Sequence, residues 1–130
     1  MIRTILKSKI HRAKVTCADL HYEGSVSIDL DLMKAANLVT HEHVHIWNVS
    51  NGNRIETYVI PAPAGTGMIQ INGAAAHLMK KDDFVIITSF AHLSEKKLKK
   101  HKPKIVFVDE KNQIKRISRT SGVALSPLAA

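Results

Sequence analysis

Short runs of alternating apolar and polar residues are the feature that most limits what this chain can fold into. Val26, Ile28 and Leu30 alternate with polar residues, and Ile69 and Ile71 do the same. Successive side chains of a strand point to opposite faces, so a period of two predicts half-buried strands. Many short strands within about 90 residues favour a small β-barrel or sandwich over a helical bundle.

Few segments have a helical pattern. Asp31 is predicted to cap a short helix over residues 32–36 that Asn37 closes, and Ser94 to cap another over residues 95–100. Asn51-Gly52 between two strand patterns predicts a hairpin. The sequence therefore predicts a mainly β fold in which the helices are short connections.

Length and composition limit the class of protein. The chain has 130 residues, which suits one domain, and a single cysteine, Cys17, which rules out a disulfide within the chain. Cys17 is in phase with Ala13 and Val15, so we expect it to be a small core residue. No apolar run is long enough to span a membrane, and charged residues interrupt the N-terminal hydrophobic residues. We therefore expect a cytoplasmic protein.

The formal charge of +8 is unevenly distributed. Residues 1–94 hold 9 basic and 8 acidic side chains, whereas residues 95–130 hold 10 basic and 3 acidic ones. This shift predicts a folded core over 1–94 and a basic, partly flexible C-terminal extension over 95–130. We expect the extension to be solvated and the residues after about Lys111 to be dispensable.

The segment with most functional information is His21-Tyr22-Glu23-Gly24-Ser25-Val26-Ser27-Ile28-Asp29. It resembles the self-processing site of the pyruvoyl-dependent L-aspartate decarboxylases, bacterial enzymes that make β-alanine for pantothenate and hence coenzyme A. The resemblance extends to three other segments in the family's order and spacing, namely residues 9–16, residues 46–54 followed by Thr57-Tyr58, and residues 72–76. Together these motifs cover residues 1 to about 90.

The resemblance implies a fold and an activity. The fold would be a six-stranded double-psi β-barrel, assembled as a homotetramer with pockets at subunit interfaces. The activity would be conversion of L-aspartate to β-alanine and CO₂ through a Schiff base to a covalent pyruvoyl group. The sequence leaves open whether a maturation factor assists the processing.

Pyruvoyl chemistry gives Gly24 and Ser25 defined roles. Attack of the Ser25 hydroxyl on the Gly24 carbonyl would give an ester, and β-elimination would leave a dehydroalanine that hydrolyses to pyruvoyl and ammonia. The zymogen would thereby be cut into residues 1–24 and 25–130. Glycine at position 24 would leave the carbonyl open and tolerate strained backbone.

The same resemblance suggests roles for other residues. Tyr58 matches the family's proton donor, and Thr57 the residue that assists self-cleavage and lines the substrate site. Arg54 and Lys9 match basic positions that bind the carboxylates of aspartate. The substrate-contacting wall would consist of Asn72, Gly73, Ala74 and Ala75.

Three other interpretations were weighed. His41, His43 and His45 would share a strand face that could bind zinc or nickel, but without an evident acidic ligand we expect no metal. A basic barrel that binds nucleic acid is a second possibility, but the core is nearly neutral and aromatic residues make up only 5% of the chain. An inactive relative is the third, and the complete set of motif residues argues against it.

Overall fold

A computed structural model describes residues 1–120. Two short α-helices, α1 (Leu30–Ala35) and α2 (Glu95–Leu98), and a 3-10 helix (Gly73–His77) connect the strands of that region. The strands are β1 (Ile2–Lys14), β2 (Cys17–Asp19), β3 (Ser25–Asp29), β4 (His43–Asn48), β5 (Arg54–Ala62), β6 (Ile69–Asn72), β7 (Phe84–Ser94), β8 (Lys104–Val108) and β9 (Ile114–Ser118).

Within residues 1–120 the strands form one nine-stranded mixed sheet. Its order is β2-β6-β3-β5-β4-β7-β1-β8-β9, with parallel pairing at β2–β6, β3–β5 and β1–β8. The prediction of a mainly β fold is confirmed. Closure of the sheet into a six-stranded double-psi barrel stays a prediction.

Strand alternation separates an apolar inner face from an outer face that carries the predicted site. Val26, Ile28, Ile46, Val59 and Ile71 are fully buried in one hydrophobic cluster. Their neighbours along each strand point the other way, because side chains alternate across a strand. The outer face therefore carries most of the residues predicted to act in the site, namely Lys9, Ser25, Arg54, Tyr58 and Asn72.

The first helix begins earlier than predicted because Asp29, rather than Asp31, caps it. The Asp29 carboxylate accepts a hydrogen bond from the backbone N–H of Asp31 (2.8 Å). It also accepts from the N–H groups of Gly65 (3.0 Å) and Gly67 (2.8 Å). Asp29 is buried, and this triple use fixes the loop after β5 against the start of α1.

A hairpin and a helix cap form as predicted, whereas one residue expected in the core is exposed. The Asn51-Gly52 hairpin joins β4 to β5, with Gly52 at φ +83°, as predicted. The Ser94 hydroxyl accepts from the Lys97 N–H and so caps α2, although that helix ends at Leu98 instead of residue 100. The core placement of Cys17 is wrong: the chain leaves β1 at Lys14, and Cys17 is exposed on the edge strand β2.

Part of the predicted extension belongs to the sheet. Strand β8 pairs with β1, and Val106 is fully buried in the central cluster. Asn112 is also buried, and its side chain amide donates to the carbonyls of Lys14 (2.8 Å) and Gly67 (2.7 Å). A cut after Lys111 would remove these bonds, so its predicted dispensability conflicts with the packing. The last part of the predicted extension, residues 121–130, lies outside the described residues.

The described helices are all short. Among residues 1–120, no helix has the length and apolar character needed to cross a membrane.

Candidate active site

Ser25 lies at the start of β3, and only 1% of its surface is exposed. Its Oγ donates a hydrogen bond to the carbonyl of Glu23 at 3.0 Å. It also accepts one from Asn72 Nδ2 at 3.0 Å, because Ser25 and Asn72 are directly paired across β3 and β6. The hydroxyl is thus held back toward the peptide that precedes it.

A second amide orients Asn72. Gln70 Nε2 donates to Asn72 Oδ1 at 2.8 Å, which turns the Asn72 NH₂ group toward the serines of β3. That NH₂ group also donates to Ser27 Oγ at 3.0 Å. Sequence reasoning missed Gln70, although its spacing of two from Asn72 on a strand indicates the same face.

Gly73 packs directly against the backbone of Gly24. A β-carbon on Gly73 would lie 2.6 Å from Gly24 Cα and 3.1 Å from the Tyr22 carbonyl oxygen. Gly73 also has a φ of +74°, which L-residues with side chains rarely adopt. Gly24 is exposed, is not among the glycines with positive φ, and has open space where a β-carbon would stand. In the uncut chain the steric and backbone need for glycine is therefore found at Gly73, and the need for glycine at Gly24 stays a prediction.

Tyr58 is a neighbour of Ser25 on the adjacent strand. The parallel register pairs Val26 with Val59, so the preceding residues, Ser25 and Tyr58, lie side by side on the outer face. The edge of the His41 ring approaches the Tyr58 ring, with centroids 5.9 Å apart. Thr57 alternates with Tyr58 and pairs with Val44, so its side chain lies on the inner face.

Arg54 is the first residue of β5, four residues before Tyr58. Its guanidinium stacks over the Trp47 ring, 4.6 Å from the centroid. Four residues along a strand span about 13 Å, so Arg54 is remote from Tyr58 within one chain. An open cavity of about 410 Å³ adjoins it, lined by His45, Trp47, Arg54, Ile55, Glu56 and Phe90.

Lys9 is also remote from Ser25 within one chain. It lies on β1, which is four strands away from β3 in the sheet order. Close to it on the same strand, His11 is half-buried, and its Nδ1 has no hydrogen-bond partner among residues 1–120. Burial, followed by the charges of Lys9 and Arg12, lowers the pKa of His11, which favours a neutral ring.

The predicted substrate-contacting wall, residues 72–75, begins beside Ser25 and Gly24. Asn72 and Gly73 are buried beside Ser25 and Gly24, whereas Ala74 is exposed and Ala75 packs partly against the core. The chain thus brings together Gly24, Ser25, Tyr58, Asn72 and Gly73. It does not bring Arg54 or Lys9 to them.

Comparisons with known proteins identify the family. The family model for aspartate decarboxylase matches residues 1–115. The chain belongs to the aspartate decarboxylase family. The aspartate 1-decarboxylase of Leptothrix cholodnii is 55% identical over 90% of this chain and 89% of its own length. That of Myxococcus xanthus is 54% identical over 88% of this chain and 88% of its own length. That of Albidiferax ferrireducens is 53% identical over 88% of this chain and 84% of its own length.

Membership of the family establishes the class of reaction. The chain is an aspartate 1-decarboxylase, a carboxy-lyase that acts in pantothenate biosynthesis. The family is pyruvoyl-dependent, so the cofactor of this decarboxylase is a pyruvoyl group.

Proposed function

We propose that this decarboxylase makes its own cofactor by cutting the chain between Gly24 and Ser25. The observation that carries the proposal is the position of Ser25 Oγ, which is buried and held by Asn72 and by the carbonyl of Glu23, two residues earlier. A hydroxyl folded back on its own chain in this way needs little motion to reach the preceding carbonyl carbon.

The processing steps use atoms of this chain and one water. Ser25 Oγ bonds to the Gly24 carbonyl carbon, the bond to the Ser25 nitrogen breaks, and the hydroxyl proton passes to that nitrogen. Loss of the Ser25 α-proton then expels the Gly24 carboxylate, which ends the fragment 1–24. Water converts the remaining dehydroalanine to a ketone at the start of fragment 25–130 and releases ammonia.

The residues around Ser25 fit a pyruvoyl group. Asn72 offers a hydrogen-bond donor to the position of the Ser25 side chain, and Gly73 leaves room where a β-carbon would block Gly24. When formed, the group supplies a ketone that accepts an amine and withdraws electrons as CO₂ leaves. The resemblance assigns Thr57 an assisting role in the cleavage, although alternation along β5 directs its side chain to the inner face, away from Ser25.

We assign the proton of the final step to Tyr58. Its strand position beside Ser25 suits delivery of the phenolic proton from Oη to the former α-carbon of the substrate. Arg54 presents a planar guanidinium that suits a carboxylate, and Lys9 adds a second positive charge. The rest of the L-aspartate site would be lined by Asn72, Gly73, Ala74, Ala75 and Thr57.

A homotetramer would reconcile these roles with the distances within one chain. Arg54 and Lys9 lie on the same outer face as Ser25 but too far along the sheet to reach it. A second copy against that face would bring its Arg54 and Lys9 to the first copy's Ser25, so the site would lie between subunits. We further propose that residues 1–94 supply the double-psi barrel of a cytoplasmic enzyme, against which β8 of the C-terminal region packs.

Intact-mass measurement tests the self-processing. We expect purified wild-type protein to give two fragments, residues 1–24 and a blocked fragment that begins at position 25. Ser25→Ala lacks the hydroxyl and should remain whole and inactive. Ser25→Thr, which keeps a hydroxyl, is the matched control. The proposal would be overturned if the wild-type chain stayed uncut after prolonged warm incubation and if added cell extract did not increase the cut fraction.

Steady-state kinetics on processed protein test the binding and proton-transfer roles. Tyr58→Phe should still be cut but lose at least about 100-fold in kcat, in line with general acid catalysis. Arg54→Lys keeps the charge but loses the planar fork, so we expect a raised KM for aspartate. Unchanged turnover in Tyr58→Phe would remove the proton-donor role.

A further inference from the structure

Two histidines and one glutamate form a cluster on the outer face of β4 and β5. His45 is directly paired with Glu56, and His43 lies diagonally across from the same glutamate. Val44 and Ile46 are fully buried, so alternation along β4 directs both imidazoles outward. None of the three side chains has a role in the decarboxylation described above.

The three side chains lie close enough together to converge on one ion. His43 Nε2 lies 2.8 Å from Glu56 Oε1, which is a hydrogen bond. His45 Nε2 lies 3.6 Å from the same oxygen, beyond hydrogen-bond range, and the two imidazole centroids are 5.0 Å apart. One ligand atom from each residue falls within 4.8 Å of the other two.

We propose that His43, His45 and Glu56 form a binding site for a divalent transition metal ion, with zinc as the cation that fits best. Two imidazole nitrogens and one carboxylate oxygen are a ligand set that zinc accepts in tetrahedral sites with one open position. Magnesium and calcium prefer oxygen-only sites, so the imidazoles select against them.

The geometry needs only small side-chain rotations. Ligand atoms about 2.0–2.1 Å from a tetrahedral zinc lie about 3.4 Å apart, between the shortest and longest separations found here. The side chains of His43 and Glu56 are more than half exposed, so both can rotate, while the strands fix their β-carbons. A neutral imidazole that carries its hydrogen on Nδ1 presents the Nε2 lone pair to the metal.

The surroundings leave room for a fourth ligand. His45 and Glu56 line the cavity beside Arg54, and His43 and His45 line a second cavity of about 300 Å³ that also contains Glu42 and His92. In the single chain both cavities are open to solvent. The expectation of no metal rested on the lack of an acidic ligand near the histidines, and pairing of the two strands supplies that ligand as Glu56.

Calorimetric titration of the chelator-treated full chain with Zn²⁺ tests the site. We expect one Zn²⁺ per chain and no binding of Mg²⁺. His43→Ala, His45→Ala and Glu56→Gln should each weaken binding at least about tenfold. The matched controls are His92→Ala, which alters a histidine of the adjacent cavity, and Cys17→Ser, which removes the exposed thiol; both should bind like wild type.

Imidazole ¹⁵N spectra give a second measurement that does not depend on folding of the variants. Zn²⁺ should shift the Nε2 resonances of His43 and His45 and leave that of His92 unchanged. The same titration on Ser25→Ala should give the same result, because the cluster does not include the processing site. Absence of binding, binding that survives all three ligand substitutions, or loss of binding in Cys17→Ser would each overturn the proposal.

Discussion

Gly73 lies so close to Gly24 that a β-carbon added to Gly73 would stand 2.6 Å from Gly24 Cα. The first residue of the 3-10 helix therefore supports the backbone at the proposed cleavage site. In Gly73→Ala the added methyl group must displace that backbone, and a φ of +74° adds strain of about 1–2 kcal/mol. We expect self-cleavage at least about tenfold slower, measured as the cut fraction against time.

Gly52 provides the matched control for this substitution. It also has a positive φ, +83°, but nothing lies within 4 Å of the position of an added β-carbon. Gly52→Ala thus carries similar backbone strain without a contact at Gly24, and its cleavage should keep the wild-type rate. Equal slowing in both variants would assign the effect to general destabilisation.

Gln70 is expected to act on processing through Asn72. Removing its hydrogen bond in Gln70→Ala frees the Asn72 amide to rotate away from Ser25 Oγ. A neutral hydrogen bond contributes about 0.5–1.5 kcal/mol, so cleavage should slow by about two- to tenfold. Gln113→Ala, at an exposed glutamine, should leave the rate unchanged, and the same rate in both variants would exclude a positioning role.

Glu42 should make the stability of the protein sensitive to acid. Burial raises the pKa of its carboxyl group, but hydrogen bonds from Lys7, Ser89 and the Val39 N–H outweigh this and lower the pKa overall. A lowered pKa in the folded state means that the unfolded state binds more protons. This contribution to stability is present above the ordinary glutamate pKa and is lost as pH falls through the folded-state pKa.

Denaturant unfolding at several pH values checks the role of Glu42. Glu42→Gln should cost about 1–3 kcal/mol near neutral pH, since its lysine pair is mostly buried. Its stability should also fall less steeply than that of wild type below about pH 4.3. Glu110→Gln, at an exposed site, is the control, and a Glu42→Gln curve parallel to wild type would contradict the prediction.

Asn112 should be needed for stability although it lies beyond the motifs. Besides its two donated bonds, its Oδ1 accepts from the Lys14 N–H at 2.8 Å. Asn112→Ala leaves these main-chain groups without partners, and we expect a loss of about 3 kcal/mol in the free energy of unfolding. Lys111→Ala should be nearly neutral, and a neutral Asn112→Ala would place the end of the fold earlier.

Local sequence patterns predicted much of the secondary structure. The alternation around Val26 and Ile28 identifies a strand, and Asn51-Gly52 identifies the hairpin, because both depend on residues close together in the chain. The local pattern predicts Asp31 as the cap of α1, whereas the structure has Asp29 there. That choice depends on Gly65 and Gly67, which lie more than 30 residues away and bind the Asp29 carboxylate.

The sequence alone determined the mainly β class, the Gly24-Ser25 motif and the resemblance that identified the family, since these depend on residue type and spacing. Only the tertiary structure decided that Gln70 orients Asn72, that Gly73 supports Gly24, and that Glu56 joins His43 and His45. The physical reason is strand register: pairing between distant segments selects which side chains meet, and no local pattern encodes that choice.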